Sequence, residues 1–316
     1  MFFLRAQAHI AEANHSDHRR EWSMESYAPG VNKIPLMNNL KTVGLLAFMT
    51  ALLALVVYWL GGEFWIMIAV VVGFNLLAYF FSDKLALASS RARPVTEAEL
   101  PQVYGIVRRL ATQMNIPEPS IHVIDSPQPN AFATGRSPRK AAVAVTTGIV
   151  QLLNNEELEA VLSHELAHVQ NRDILIGSVA AMIGAALSIV ARMGFWFGGS
   201  DSRNNPLGAI GAILSLIIAP FAAMLIQFAI SRTREFQADK SGAELTGQPL
   251  QLASALAKIS AGTARIPMNV NPATSQLFID NPLKAVRGRG VSKLFSTHPP
   301  VEERIERLHD MAMGVR

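Results

Sequence analysis

The chain has 316 residues, half of them apolar and only 16% charged, with a net charge of +4 and no cysteine. Soluble domains carry about 25% charged residues, so this composition excludes a disordered chain and speaks against an ordinary soluble enzyme. The absence of cysteine excludes a disulfide scaffold and any thiolate-ligated zinc or iron–sulfur centre, and the mild charge gives no reason to expect a nucleic-acid partner.

Residues 1–36 are polar, with four basic and four acidic side chains and the histidines His9, His15 and His18. No apolar core precedes a cleavage site, so they do not read as a signal peptide. They are expected to be a disordered or non-native extension rather than a histidine-rich metal tail. Met37 is the expected start, because the apolar pattern begins just after it.

Four stretches carry the apolar excess without a charge: 42–60, 64–81, 174–191 and 207–230. A helix crosses the hydrocarbon core with about 20 apolar residues. Tyr58, Trp59, Trp65, Tyr79, Phe80, Phe81 and Trp196 cluster at their ends as an interfacial belt. The spacing predicts four membrane-spanning helices in two hairpins, over 37–82 and 174–230. Gly177, Gly184, Gly208, Gly211, Pro220 and Gln227 make the second hairpin less oily, so it is either spanning or shallow. Lys33, Lys41, Lys84, Arg91, Arg93, Arg232 and Arg234 flank the same ends. The positive-inside rule then places both termini and the 83–173 segment in the cytoplasm.

Between the hairpins, 83–173 reads as a mixed α/β unit. Thr96 and Glu99 have capping-box spacing and are expected to open a helix running to about Met114. Ile121–Asp125 and Ala141–Thr147 read as short strands. Asn154 and Glu157 form a second capping box, before a helix with Leu158, Val161, Leu162, Leu166 and Val169 on its apolar face. The last segment, 231–316, is expected to be helical at both ends, with breakers at Asn271-Pro272 and Asn281-Pro282.

The chemistry lies in His164-Glu165-Leu166-Ala167-His168. Four residues apart on a helix, both imidazoles face the same way, and two neutral histidines can share one tetrahedral zinc ion. Glu165 stands beside the ion and can take a proton from the attacking water. With 8 His and 16 Glu in the chain, chance supplies about 0.01 such pentads, which disfavours two unrelated helix-surface histidines. A catalytic zinc needs a third protein ligand. No further histidine follows at short range. Glu235 could complete a His₂Glu set, and Asp239, four residues on, could accept a bond from a ligand histidine and fix its tautomer. The competing reading is a surface helix of salt bridges among Arg232, Arg234, Glu235 and Asp239.

In combination and order, several segments resemble the HtpX family of bacterial membrane-bound zinc metalloproteases, relatives of the CAAX prenyl proteases. They are the opening MNNLKT from Met37, Asn130–Gly135, the strand into Thr146-Thr147-Gly148, HELAH, REFQAD, and Ser296-Thr297-His298-Pro299-Pro300. The likeness runs from Met37 to about Leu308. It implies a membrane protein with a zincin, gluzincin-like cytoplasmic domain and one zinc per subunit. His164, His168 and Glu235 would be ligands, Glu165 the general base and Asp239 the partner behind a ligand. His298 would lie near the site, either stabilising the oxyanion or shaping a helix entry. It also implies proteolytic quality control of damaged membrane proteins at a bacterial inner membrane.

For substrate binding, the Ala141–Thr147 strand is expected to offer an edge, with Asn130, Ala142, Val143, Ala144 and Val145 pairing to a peptide by β-addition. HELAH ends six residues before the third span and Glu235 follows the fourth by five. If those helices are continuous with the spans, the site sits at the membrane face and selects membrane proteins, with lipid as neighbour. Rival readings are a membrane chaperone or scaffold with a structural zinc, a CAAX-type processing protease, and a transporter with a metal sensor. The last is disfavoured because Arg192 is the sole ionisable residue in or near a span.

Overall fold

The computed structural model describes residues 40–44, 46, 47, 50, 51, 54, 58, 63–183, 232–271, 274–285 and 299–314. The N-terminal 1–36 extension, Met37, the 207–230 stretch, the far half of 174–191 and His298 lie outside the described residues.

Helix α1, Phe64–Ser89, has 26 residues, and its most apolar 18-residue stretch has a mean hydropathy of 2.2. At 1.5 Å per residue it is about 39 Å long, more than the hydrocarbon core requires. Most of its described apolar side chains point outward, with Trp65 74% and Leu77 53% exposed, while Ala78 and Ala86 are buried. An aqueous protein rarely tolerates so large an apolar surface. The helix runs past the expected end at Phe81 because no breaker intervenes before Arg91, whose φ is 56°. Among the described residues α1 is the one helix long and apolar enough to cross a membrane, and Ile174–Ile183 (α5) is a shorter apolar helix. The two pack together through Ala78, Ile176, Val179 and Ile183, with Leu46 and Phe74 alongside. Asn75 on α1 donates to Thr50 Oγ1 at 2.8 Å, a polar pairing suited to an apolar surround.

The polar part is built on a four-stranded mixed sheet: β1 (Arg93–Pro94), β2 (Ser120–Ile124), β3 (Ala131–Gly135) and β4 (Ala141–Thr146). Their order is β1-β2-β4-β3. β4 runs parallel to β2, with Ile121 opposite Val143, and antiparallel to β3, with Ala133 opposite Val143. Alternate side chains leave on opposite faces. Ile121, Val123, Ala131, Ala133, Val143 and Val145 join the helical core, whereas Ile124, Phe132 and Ala144 meet Met268, Val270, Phe278 and Leu283 on the other face.

Helix α2 (Pro101–Gln113) starts later than expected. Glu99 Oε2 does accept the Thr96 N–H at 2.9 Å, but the box closes a turn ahead of the helix. Leu100, forced out of helical backbone by the following proline, has φ −136° and ψ 61°, and Pro101 opens the helix at N1. After the short α3 (Thr147–Leu152), α4 (Asn155–Gln170) begins with the expected capping box. Glu157 N donates to Asn154 Oδ1 at 2.8 Å and Asn154 N to Glu157 Oε2 at 3.1 Å. α4 is buried on nearly every side, between the sheet and helices α2, α6 (Arg232–Thr246) and α7 (Pro249–Arg265). The terminal helix α8 (Val301–Ala312) packs on α7 and α6.

Candidate metal centre

α4 presents His164 and His168 one turn apart, their Nε2 atoms 3.2 Å from each other. Opposite them α6 brings Glu235, with Oε2 3.8 Å from His164 Nε2 and Oε1 3.7 Å from His168 Nε2. Ligand atoms about 2.05 Å from a tetrahedral centre stand about 3.4 Å apart, so the three atoms fit one ion. Among the described residues this is the one group of three that could hold a metal, all ligand atoms within 4.8 Å of one another.

The two helices come this close because small residues meet at their crossing. A Cβ on Gly242 would lie 2.9 Å from His164 N, and Ser163 Oγ donates to Gly242 O at 3.1 Å. Ala238 and Ala243 fill the rest of the seam and are buried.

Each histidine is held from behind through Nδ1, which leaves Nε2 directed at the shared point. His164 Nδ1 is 2.9 Å from Asp239 Oδ1, the partner expected from the spacing. His168 Nδ1 is 3.0 Å from Asp173 Oδ2, a partner that sequence reasoning missed. Asp173 reaches it through the end of α4. Arg172 adopts φ 58°, Arg172 N bonds Val169 O and Asp173 N bonds His168 O. That Schellman-type cap folds the chain back onto the ligand. It also separates α4 from α5, so the HELAH helix does not meet the condition of being continuous with the apolar helix beginning at Ile174. The signal available was an Asn-Arg-Asp helix exit just after the motif.

Arg304, on the first turn of α8, was also missed. It is 1% exposed, and both its Nε and Nη2 donate to Asp239, at 2.8 and 2.6 Å. An arginine in an amphipathic sequence carries no mark of burial.

Electrostatics follow from this arrangement. Burial works against the Asp239 carboxylate, but Arg304 and His164 outweigh it and hold its pKa down to about 2. Burial also opposes the His168 imidazolium, yet Asp173, Glu235 and Glu165 raise its pKa to about 10. A metal ion must therefore displace a proton to bind there. Burial pushes the Glu165 carboxyl up, against the pull of the two histidines. That is the direction a base working near neutrality needs.

Glu165 Oε2 accepts the Ala133 N–H at 2.8 Å, which places β3 beside the site. The expected substrate strand needs correction here. Ala142, Val143, Ala144 and Val145 lie in β4, paired to β2 on one side and β3 on the other, so they have no free edge. Strand signals in the sequence do not specify sheet order, which long-range pairing decides. Asn130 is fully buried and its Nδ2 donates to Asp280 O at 2.8 Å, so it anchors the 275–285 loop. The sheet's edges are β1 and β3, and β3 is the one beside the site.

The family model described as peptidase family M48 matches residues 97–312. That span includes α4, α6 and α8 together. The chain belongs to peptidase family M48. This M48 peptidase is 48% identical over 284 residues to a protein named Protease HtpX homolog from Pelotomaculum thermopropionicum. The match covers 88% of the chain and 100% of that relative. The likeness to HtpX read from the motifs therefore holds over most of the sequence, and the chain is a metalloprotease. Among solved structures it is similar to the crystal structure of Ste24p from S. mikatae, at 20% identity and a TM-score of 0.47. That similarity covers 96% of this chain and 74% of that one.

Proposed function

We propose that this M48 metalloprotease is a zinc-dependent endopeptidase that cuts misfolded or damaged membrane proteins at the cytoplasmic face of a bacterial inner membrane. The observation that carries the reading is the convergence of His164, His168 and Glu235 on one point with Glu165 beside them. Those three residues would hold one zinc ion, which supplies a Lewis acid for the scissile carbonyl and the attacking water. Glu165 takes the water's proton and delivers it to the leaving amine. Asp239 and Asp173 keep both histidine rings turned toward the ion. A peptide substrate is received beside β3, the sheet edge that borders Glu165.

Membrane substrates are favoured by position. α5 starts six residues after His168, and α1, with its outward apolar surface, packs against it. The 42–60, 64–81, 174–191 and 207–230 stretches serve as four spans in this reading. The basic residues at their ends keep the site cytoplasmic. His298 is assigned to the oxyanion.

Glu165→Gln tests the assignment. It should abolish cleavage of a membrane-protein substrate while zinc content and thermal stability stay near wild type. A variant that still cleaves would remove Glu165 from the mechanism, and equal turnover of soluble and membrane substrates by the wild type would remove the membrane preference.

A further inference from the structure

Arg304 comes from the far end of the chain and is buried among the groups behind the metal centre. A guanidinium is tolerated in such a place only when its donors meet acceptors, and here they do. Nε and Nη2 grip Asp239 side-on, and Nη1 donates to Ile279 O at 3.3 Å. Nη1 also lies 3.9 Å from Glu235 Oε2. The Asp239 oxygen that receives Nη2 is the one that faces His164 Nδ1. Ile279, in turn, donates its own N–H to Ala131 O on β3 at 2.9 Å. One side chain therefore touches both the support of a metal ligand and the support of the edge strand.

We propose that Arg304 is a positioning residue whose two-point grip on Asp239 sets the zinc affinity of the site, while its bond to Ile279 O helps place β3. This rests on the reading of His164, His168 and Glu235 as zinc ligands. Without the fork, Asp239 is free to rotate, and the His164 ring loses the fixed acceptor that aims its Nε2. A lysine would restore charge but one point of contact rather than two. α8 is well placed for such control because it lies on the helix that carries Glu235 and Asp239. Its Arg307 stacks over Phe236 with the guanidinium carbon 3.6 Å from the ring centroid. The coupling is reciprocal, so zinc should hold Arg304 on Asp239 as firmly as that grip tightens zinc.

The test measures zinc affinity of the full-length protein by competition with a chromogenic chelator, with hydrogen exchange of 301–312 as a second readout. Arg304→Met should weaken zinc about tenfold, the scale seen when outer partners of metal ligands are lost, and Arg304→Lys should weaken it less. Leu308→Ala loosens the same helix by emptying a buried core position without touching Asp239. It should lower the melting temperature yet leave zinc affinity within about threefold, below that outer-partner effect. In the wild type, zinc should slow exchange across α8. The proposal is overturned if Arg304→Met, or Arg304→Lys should the former not fold, binds zinc as the wild type does. It is overturned equally if Leu308→Ala weakens zinc as much as Arg304→Met, because the effect is then simple docking. A wild-type chain that takes up no zinc would instead remove the metal assignment itself.

Discussion

Replacing Gly242 with alanine puts a methyl group between the two helices that form the metal centre. The new Cβ would stand 2.8 Å from Ser163 Oγ, 2.9 Å from His164 N and 3.2 Å from His164 Cα. Ser163 can turn its hydroxyl aside, but the His164 backbone is the middle of α4 and cannot. Ordinary contact begins at 3.4 Å, so α6 must withdraw by the missing 0.5 Å. Overpacking of this kind costs about 1–3 kcal/mol of stability. The effect on the metal should be larger than the effect on the fold, because α6 carries Glu235 and Asp239 away from His164 together. Ligand distances tolerate only about 0.2 Å, so zinc affinity should fall by about tenfold or more. Chelator competition on the full-length protein measures the affinity, and thermal melts with and without zinc measure the stability. Gly105→Ala is the matched control, since nothing lies within 4 Å of its added Cβ. A Gly242→Ala protein with wild-type zinc affinity would refute the idea that this close crossing sets the ligand geometry.

Asp173→Ala should weaken zinc by about tenfold through loss of the His168 Nδ1 partner, read by the same competition, and an unchanged affinity would show that the Schellman-type turn holds the ring unaided. The start of α4 should show in acid. Burial alone would raise the Glu157 carboxyl, but Lys258, Ser254 and the Asn154 N–H bring it below its usual 4.5. The native state therefore binds this proton less readily than the unfolded chain. Its stabilising contribution is complete above the unfolded pKa and disappears as pH falls through the lowered one. Lys258→Met should reduce that acid-side loss, so its melting temperature should converge on the wild type's as pH falls from neutral to below 4.5. A constant difference across that range would contradict the assignment.

Features set by neighbours in sequence were readable without coordinates. The capping box at Asn154 and Glu157, the i,i+4 histidines, Glu165 between them, and the Glu235 and Asp239 pair all depend on helical spacing, a local property. The apolar stretch that became α1 was legible for the same reason, and its end was missed only because a helix stops at a breaker rather than at a change of polarity. The fate of Thr96 and Glu99 shows the limit even locally, since Pro101 took the start of α2 from them.

Tertiary structure alone decided which strand was the edge beside the site. β4, with Val143, Val145 and Thr146, has the stronger strand composition, yet it lies inside the sheet, and β3, which ends in Gly135, borders the site. Nothing in either strand's own pattern reports which partners it finds. The supporting groups behave likewise. Asp173 reaches His168 only through a left-handed Arg172, and Arg304 reaches Asp239 only because α8 folds back over α6 from 65 residues away. A sequence displays which side chains have the right chemistry for a metal. Which of them become buried together, and so hold the others in place, depends on chain reversals and helix crossings that form only in the folded molecule.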